Sequence, residues 1–200
     1  MQSPLIHLPV AWLRVGHVDE VVSFFRSERK LIVLLASPRA AIGLYAKQHR
    51  QAAPHLAQLD RYQQQFIARI EAIRRAIVEG LGGTENVTFV EIPVFFVNIQ
   101  ATTADGDEVW RAVGASTPER RDIADENDAL EKTHANPMNM LIVGTNAFVP
   151  KPLGGLMRAL EQDIEAKLRH CGLKAIFINA QNLHERGGDI HCATNAIRNP

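Results

Sequence analysis

Leu31-Ile32-Val33-Leu34-Leu35-Ala36-Ser37-Pro38 is the stretch that decides the fold. Six consecutive apolar residues give no alternation of polar and apolar faces, so the segment reads as a strand buried on both sides. Ser37-Pro38 closes it, and a short helix through Leu44 and Tyr45 is predicted next. Working forward, Phe66, Ile67, Ile70, Ile73, Ile77 and Val78 recur at helical spacing. They predict a long amphipathic helix whose Gln and Arg residues face water, stopped by Gly80 and Gly82-Gly83. Val87 to Ile92 is the next predicted strand, ended by Pro93.

The pattern repeats in kind further on. Met138 to Val143 reads as a strand, and Pro150 and Pro152 stiffen the turn into a helix with Leu156, Leu160, Ile164 and Leu168 on one face. Gly172 ends that helix, Ala175 to Ile178 forms a strand, and Gly187-Gly188 turns the chain into a last strand holding Ile190-His191-Cys192. Residues 100–135 are polar and charged and read as a surface loop, with a solvated helix starting at Thr117-Pro118. Before the deciding strand, Trp12 to Phe25 reads as strand, polar interruption and strand, with Gly16-His17-Val18-Asp19-Glu20 as the interruption. Strands interleaved with helices make the class α/β, and the whole of 1–200 is read as one domain without sequence repeats. No Gly-rich phosphate loop follows any strand, which argues against nucleotide binding.

Composition narrows the function classes. The 200 residues are 46% hydrophobic and 22% charged, the balance of a soluble globular domain. Lys plus Arg and Asp plus Glu both total 22, so no net field draws the chain to nucleic acid or to a membrane, and neither is an expected partner. The apolar runs are too short to span a bilayer, and the start lacks the basic and apolar segments of a signal peptide, so a cytoplasmic location is expected. Two cysteines, Cys171 and Cys192, are too few for a disulfide scaffold and fit reduced thiols.

Three residues could carry chemistry. In an extended segment, His17 and Asp19 would point to the same face, placing a proton-transfer group beside a carboxylate. The same spacing also suits a solvated structural pair, and from these residues alone that plainer reading prevails. Cys192 is the thiol candidate, set in a Gly-flanked strand, although a free cysteine is more often a small buried hydrophobe. Cys171 falls at a helix C-terminus, where the dipole disfavours a thiolate, and is read as structural. His184, His191 and Cys192 lack the spacing of a zinc site, with His191 and Cys192 on opposite faces of a strand. Asp105-Gly106-Asp107-Glu108 lacks the ligand ladder of a calcium-binding loop, so no metal ligands are assigned.

Taken in order, Trp12 to Glu20, Leu34 to Arg39, Asn139-Met140-Leu141 with Pro150-Lys151-Pro152, Phe177-Ile178-Asn179 and His191-Cys192-Ala193-Thr194-Asn195 resemble segments of the protein-arginine deiminases. The resemblance covers almost the whole chain apart from the polar middle. It implies a partial pentein-type α/β propeller. It also implies that Cys192 is the nucleophile, His17 the general acid and base, and Asp19 a carboxylate gripping the guanidinium, with Arg186 contacting the substrate. The expected reaction is hydrolysis of arginine within a polypeptide to citrulline and ammonia through a covalent thiouronium intermediate. The family's second guanidinium-binding carboxylate and its calcium ligands precede the Gly16 to Glu20 motif, so calcium is an implied cofactor whose ligands are expected upstream of this chain. With part of the propeller absent, self-association is expected. An inactive remnant with a binding or structural role and a small-molecule guanidine deiminase stand as the alternatives.

Overall fold

A computed structural model describes residues 5–13, 16–27, 30–48, 53–85, 87–98, 130–132, 136–152, 156–184 and 188–194. The deciding strand is β2 (Lys30–Ser37), buried from Ile32 to Ser37. It is the central strand of a three-stranded sheet: β1 (Val22–Ser27) runs antiparallel on one side, with Val22 opposite Leu35, and β3 (Val87–Pro93) runs parallel on the other, with Leu31 opposite Val87.

A parallel neighbour needs a crossover, and two helices supply it. α1 (Pro38–Gln48) starts where Ser37 Oγ accepts the backbone N–H of Ala40 at 3.1 Å, a side-chain cap followed by proline at the first helical position. α2 (Ala53–Leu81) buries Phe66, Ile67, Ile70, Ile73 and Ile77 of the predicted stripe and leaves Val78 half-buried. It runs through Gly80 and ends at Gly82 and Gly83, both at positive φ, where Gly83 N–H bonds back to Val78 O at 3.0 Å. One expectation for this helix is corrected. Gln63 does not face water: it is fully buried, and its amide gives one hydrogen bond to Phe96 O (2.7 Å) and takes one from Phe96 N–H (3.2 Å).

Beyond β3, the short strands β4 (Phe96–Asn98) and β5 (Leu130–Lys132) pair antiparallel. Leu130–Lys132 lies within the segment expected to be a surface loop; Thr117-Pro118 and Asp105 to Glu108 are outside the described residues. A third sheet follows, from β6 (Leu141–Val143), β7 (Asn146–Pro150) and β8 (Lys174–Ile178). β6 is antiparallel to β7, β7 is parallel to β8, and α3 (Met157–His170) makes the crossover. Leu156, Leu160, Ile164 and Leu168 are all buried as their spacing predicts, and Gly172 at φ 83° ends the helix. A short helix α4 (Gln181–His184) comes after β8.

The first and third sheets therefore have the same plan: an antiparallel strand pair, a helical crossover, and a parallel third strand. No sequence repeat announces it, because one crossover carries two helices and the other only one. α3 packs on β3 and α1 as well as on its own β8, joining the modules in one apolar core that runs from Val10 to Leu173. The architecture is α/β, and the small sheets among the described residues do not close into a ring. No helix among the described residues is long and apolar enough to cross a membrane.

Three predicted strands are corrected. Residues around Trp12 form a turn, tied by Leu13 N–H to Val10 O, with Trp12 packed edge-on against Phe96 at 5.4 Å between centroids. Only Leu141–Val143 of the Met138 to Val143 segment is strand, because Asn136 Oδ1 takes the Met138 N–H and bends the chain into a turn. The Ile190 to Cys192 segment is also a turn, closed by Ala193 N–H to Asp189 O and Thr194 N–H to His191 O.

Candidate active site

His17 is extended (φ −90°, ψ 137°) and caps a single 3-10 turn, Val18–Glu20. Asp19 thus sits in a turn, and the same-face argument from an extended segment does not apply. The grouping nevertheless forms. One ligand-type atom from each of His17, Asp19 and Cys192 lies within 4.8 Å of the others, although the chain separates Asp19 from Cys192 by 173 positions. Cys192 Sγ is 3.8 Å from Asp19 Oδ2, and the thiol is exposed.

Two further side chains complete the arrangement, and neither is singled out by the sequence for this role. Asn139, fully buried, donates through Nδ2 to Asp19 Oδ2 (2.8 Å) and to Cys192 Sγ (3.1 Å), while its Oδ1 accepts the Cys192 N–H (3.1 Å). A polar residue between the buried Met138 and Met140 is the signal that could have found it, since a buried amide needs partners. His191 Nδ1 lies 2.8 Å from Asp19 Oδ2. An ionised carboxylate only accepts, so Nδ1 carries the proton in that contact. His191 and Cys192 therefore both reach Asp19, where a strand would have sent them to opposite faces.

The turns holding these residues are fixed by buried polar groups. Asn136 Nδ2 donates to Glu20 O at 2.7 Å, beside Asp19. The Asn136 N–H donates to Asp189 Oδ2 at 3.0 Å, at the base of the Cys192 turn. His184 turns to Asp189, 3.5 Å from its Oδ1, and is not part of the Cys192 cluster. Gly188 is in the same turn; a Cβ there would lie 3.3 Å from Cys192 Cβ. Cys171 is half-buried at the end of α3, and burial pushes its thiol up, in keeping with a structural role. Arg186 lies outside the described residues.

Asp19 Oδ1 is buried with no hydrogen-bond partner among the described residues. Such an acceptor favours a ligand that brings N–H donors. Calcium is a poor match for this cluster: it takes six to eight oxygens, and here a single carboxylate stands with an imidazole and a thiol.

The protein-arginine deiminase family model matches residues 1–81 and 54–200. Human protein-arginine deiminase type-4 is 29% identical over 211 residues, covering 100% of this chain and 30% of its own length. Mouse protein-arginine deiminase type-3 is 30% identical over 219 residues, covering 99% of this chain and again 30% of its own. The chain thus spans about a third of the length of these curated relatives. A solved structure assigned as an agmatine deiminase aligns with 88% of this chain and 37% of its own, at TM-score 0.45 and 15% identity. With the family model matching across both modules and every segment that forms the site, the chain belongs to the protein-arginine deiminase family.

Proposed function

We propose that this chain carries the cysteine side of a deiminase site that converts arginine within polypeptides to citrulline. The observation that carries the reading is the convergence of Cys192, Asp19 and His17 within 4.8 Å in a chain of this family. Asp19 holds the guanidinium through charge-assisted hydrogen bonds, for which its unpartnered Oδ1 provides an acceptor. The Cys192 thiolate attacks the guanidinium carbon, forming a C–S bond. His17 protonates the departing nitrogen, which leaves as ammonia, and a thiouronium remains on the sulfur. His17 then takes a proton from water, the hydroxide adds to the same carbon, and the C–S bond breaks to regenerate the thiolate; the O–H proton of the product passes to the released ammonia, leaving ammonium and a neutral ureido group.

Asp19 Oδ2 is already engaged by Asn139 and His191, so in this arrangement an incoming guanidinium displaces His191, whose ring is about half exposed. The second guanidinium carboxylate and calcium belong, on this reading, to the part of the relatives' length that the chain does not span. Self-association could bring such groups to the site from another copy.

The test is citrulline formation from a blocked arginine substrate, with calcium and with chelator, for this chain and its Cys192→Ala variant. Turnover that disappears in the variant supports the reading. Equal turnover in both sinks it, and turnover on free arginine or agmatine in preference to the blocked substrate moves the assignment to a small-molecule guanidine deiminase. No turnover in either favours a site that is incomplete in this chain and leaves only the family membership standing.

A further inference from the structure

We propose that Asn139 is a catalytic residue whose carboxamide N–H stabilises the Cys192 thiolate while the same amide holds the Asp19 carboxylate beside it. The proposal rests on the reading of Cys192 as the nucleophile. The orientation of the amide is fixed by chemistry. The Cys192 N–H needs an acceptor and receives Oδ1 at 3.1 Å; the Asp19 carboxylate can only accept and receives Nδ2 at 2.8 Å. Flipping the amide would set donor against donor and acceptor against acceptor. Nδ2 has two protons, and its second partner is Cys192 Sγ at 3.1 Å.

This matters most when the thiol ionises. Cys192 Sγ and Asp19 Oδ2 are 3.8 Å apart, so a thiolate there faces a carboxylate of like charge. Asn139 donates to both anions from one nitrogen and offsets that repulsion. A thiol is a weak acceptor and a thiolate a strong one, so the contact favours the ionised nucleophile over its protonated form. Asn139 is also held firmly in place. Its side chain is fully buried, its N–H donates to Asn136 O at 2.9 Å, and its C=O accepts the His191 N–H at 3.0 Å.

The experiment measures iodoacetamide alkylation of Cys192 by mass spectrometry in a Cys171→Ala background, at about pH 7 and about pH 10.5, where ordinary thiols are ionised. Asn139→Ala removes both donors, and Asn139→Asp keeps the shape and the acceptor for the Cys192 N–H while replacing the donors with a like charge. Near pH 7 the rate should fall about tenfold in Asn139→Ala and further in Asn139→Asp. Near pH 10.5 the Asn139→Ala rate should return to within about twofold of the parent, because only thiolate formation, not access, was impaired. Far-UV circular dichroism checks that each variant is folded, and the aspartate variant alone suffices if the alanine variant is not. An unchanged rate near pH 7, or an equal loss at both pH values, overturns the proposal. Alkylation needs no turnover, so a failed citrulline assay with this pattern intact would strike the deiminase reading and leave the Asn139 contact standing.

Discussion

Replacing Gln63 with leucine removes two hydrogen bonds from the interior without changing the local volume much. The amide of Gln63 serves Phe96 as a neighbouring strand would, taking its N–H and giving to its C=O, and both residues are fully buried. Gln63→Leu leaves those two backbone groups without their side-chain partners, at about 1–3 kcal/mol each. An apolar side chain in the same slot returns about 1–2 kcal/mol. Taking the middle of each range, the net loss is about 2.5 kcal/mol, a large share of the roughly 5–15 kcal/mol typical of a folded domain. Urea denaturation followed by tryptophan fluorescence is suited to the measurement, since Trp12 packs on both Phe66 and Phe96. The midpoint should fall with little change in slope, because the surface exposed on unfolding is nearly the same. Gln63→Glu adds a sign check: ionised, it buries a charge and loses the donor to Phe96 O; protonated, it regains an O–H donor, so its deficit should shrink as the pH falls. A Gln63→Leu stability within about 0.5 kcal/mol of the parent would refute the argument that this amide holds Phe96 in place.

Two other substitutions test separate features. Gly80→Ala gains about 1 kcal/mol of helix propensity, but its Cβ would lie 2.6 to 2.9 Å from three carbons of the Ile6 side chain. Overpacking costs about 1–3 kcal/mol, so the melting temperature should fall, and adding Ile6→Ala should restore it. Burial raises the Cys171 thiol and the Tyr45 phenol, so above the ordinary thiol value the folded state keeps protons that the unfolded chain has released. Stability should therefore decline as the pH rises through that alkaline window, with the thiol part of the slope absent in Cys171→Ala in parallel denaturation series.

How much can be read from the sequence depends on whether the signal is periodic or a matter of polar partners. The buried run at β2 and the four-residue spacing of Leu156, Leu160, Ile164 and Leu168 give strand and helix directly, since burial of a face imposes its period on the residues that build it. Gln63 escapes such a reading because its polarity on an amphipathic helix says water, while its two bonds to Phe96, 33 positions away, put it in the core. The Ile190-His191-Cys192 segment has the composition of a strand, yet hydrogen bonds back to Asp189, Ile190 and His191 wind it into a turn. Of the site, His17, Asp19 and Cys192 come from a family resemblance, not from spacing. Asn139 cannot emerge as a bridge, because its partners are 120 and 53 positions distant.

The position of the site follows from the plan shared by the two modules. β1 enters antiparallel beside the carboxyl end of β2, Val22 opposite Leu35, and the turn leading into it carries His17 and Asp19. β6 likewise enters beside β7, Leu141 opposite Phe148, and the turn leading into it carries Asn139. Cys192 comes after β8, beyond its carboxyl end. All three segments therefore gather at the carboxyl ends of parallel strands, the edge where open α/β sheets place their ligands. No single module supplies the set: Asp19 comes with the first, Asn139 and Cys192 with the second. The placement of Cys192 against Asp19 then depends on how the modules dock, through α3 against β3 and α1 in the apolar core and through Asn136 to Glu20 and Asn139 to Asp19 at the site. Apolar packing brings the two turns close. The directional amide bonds set the remaining register, which is why the buried asparagines, and not the exposed thiol, are where a small change should displace the cluster most.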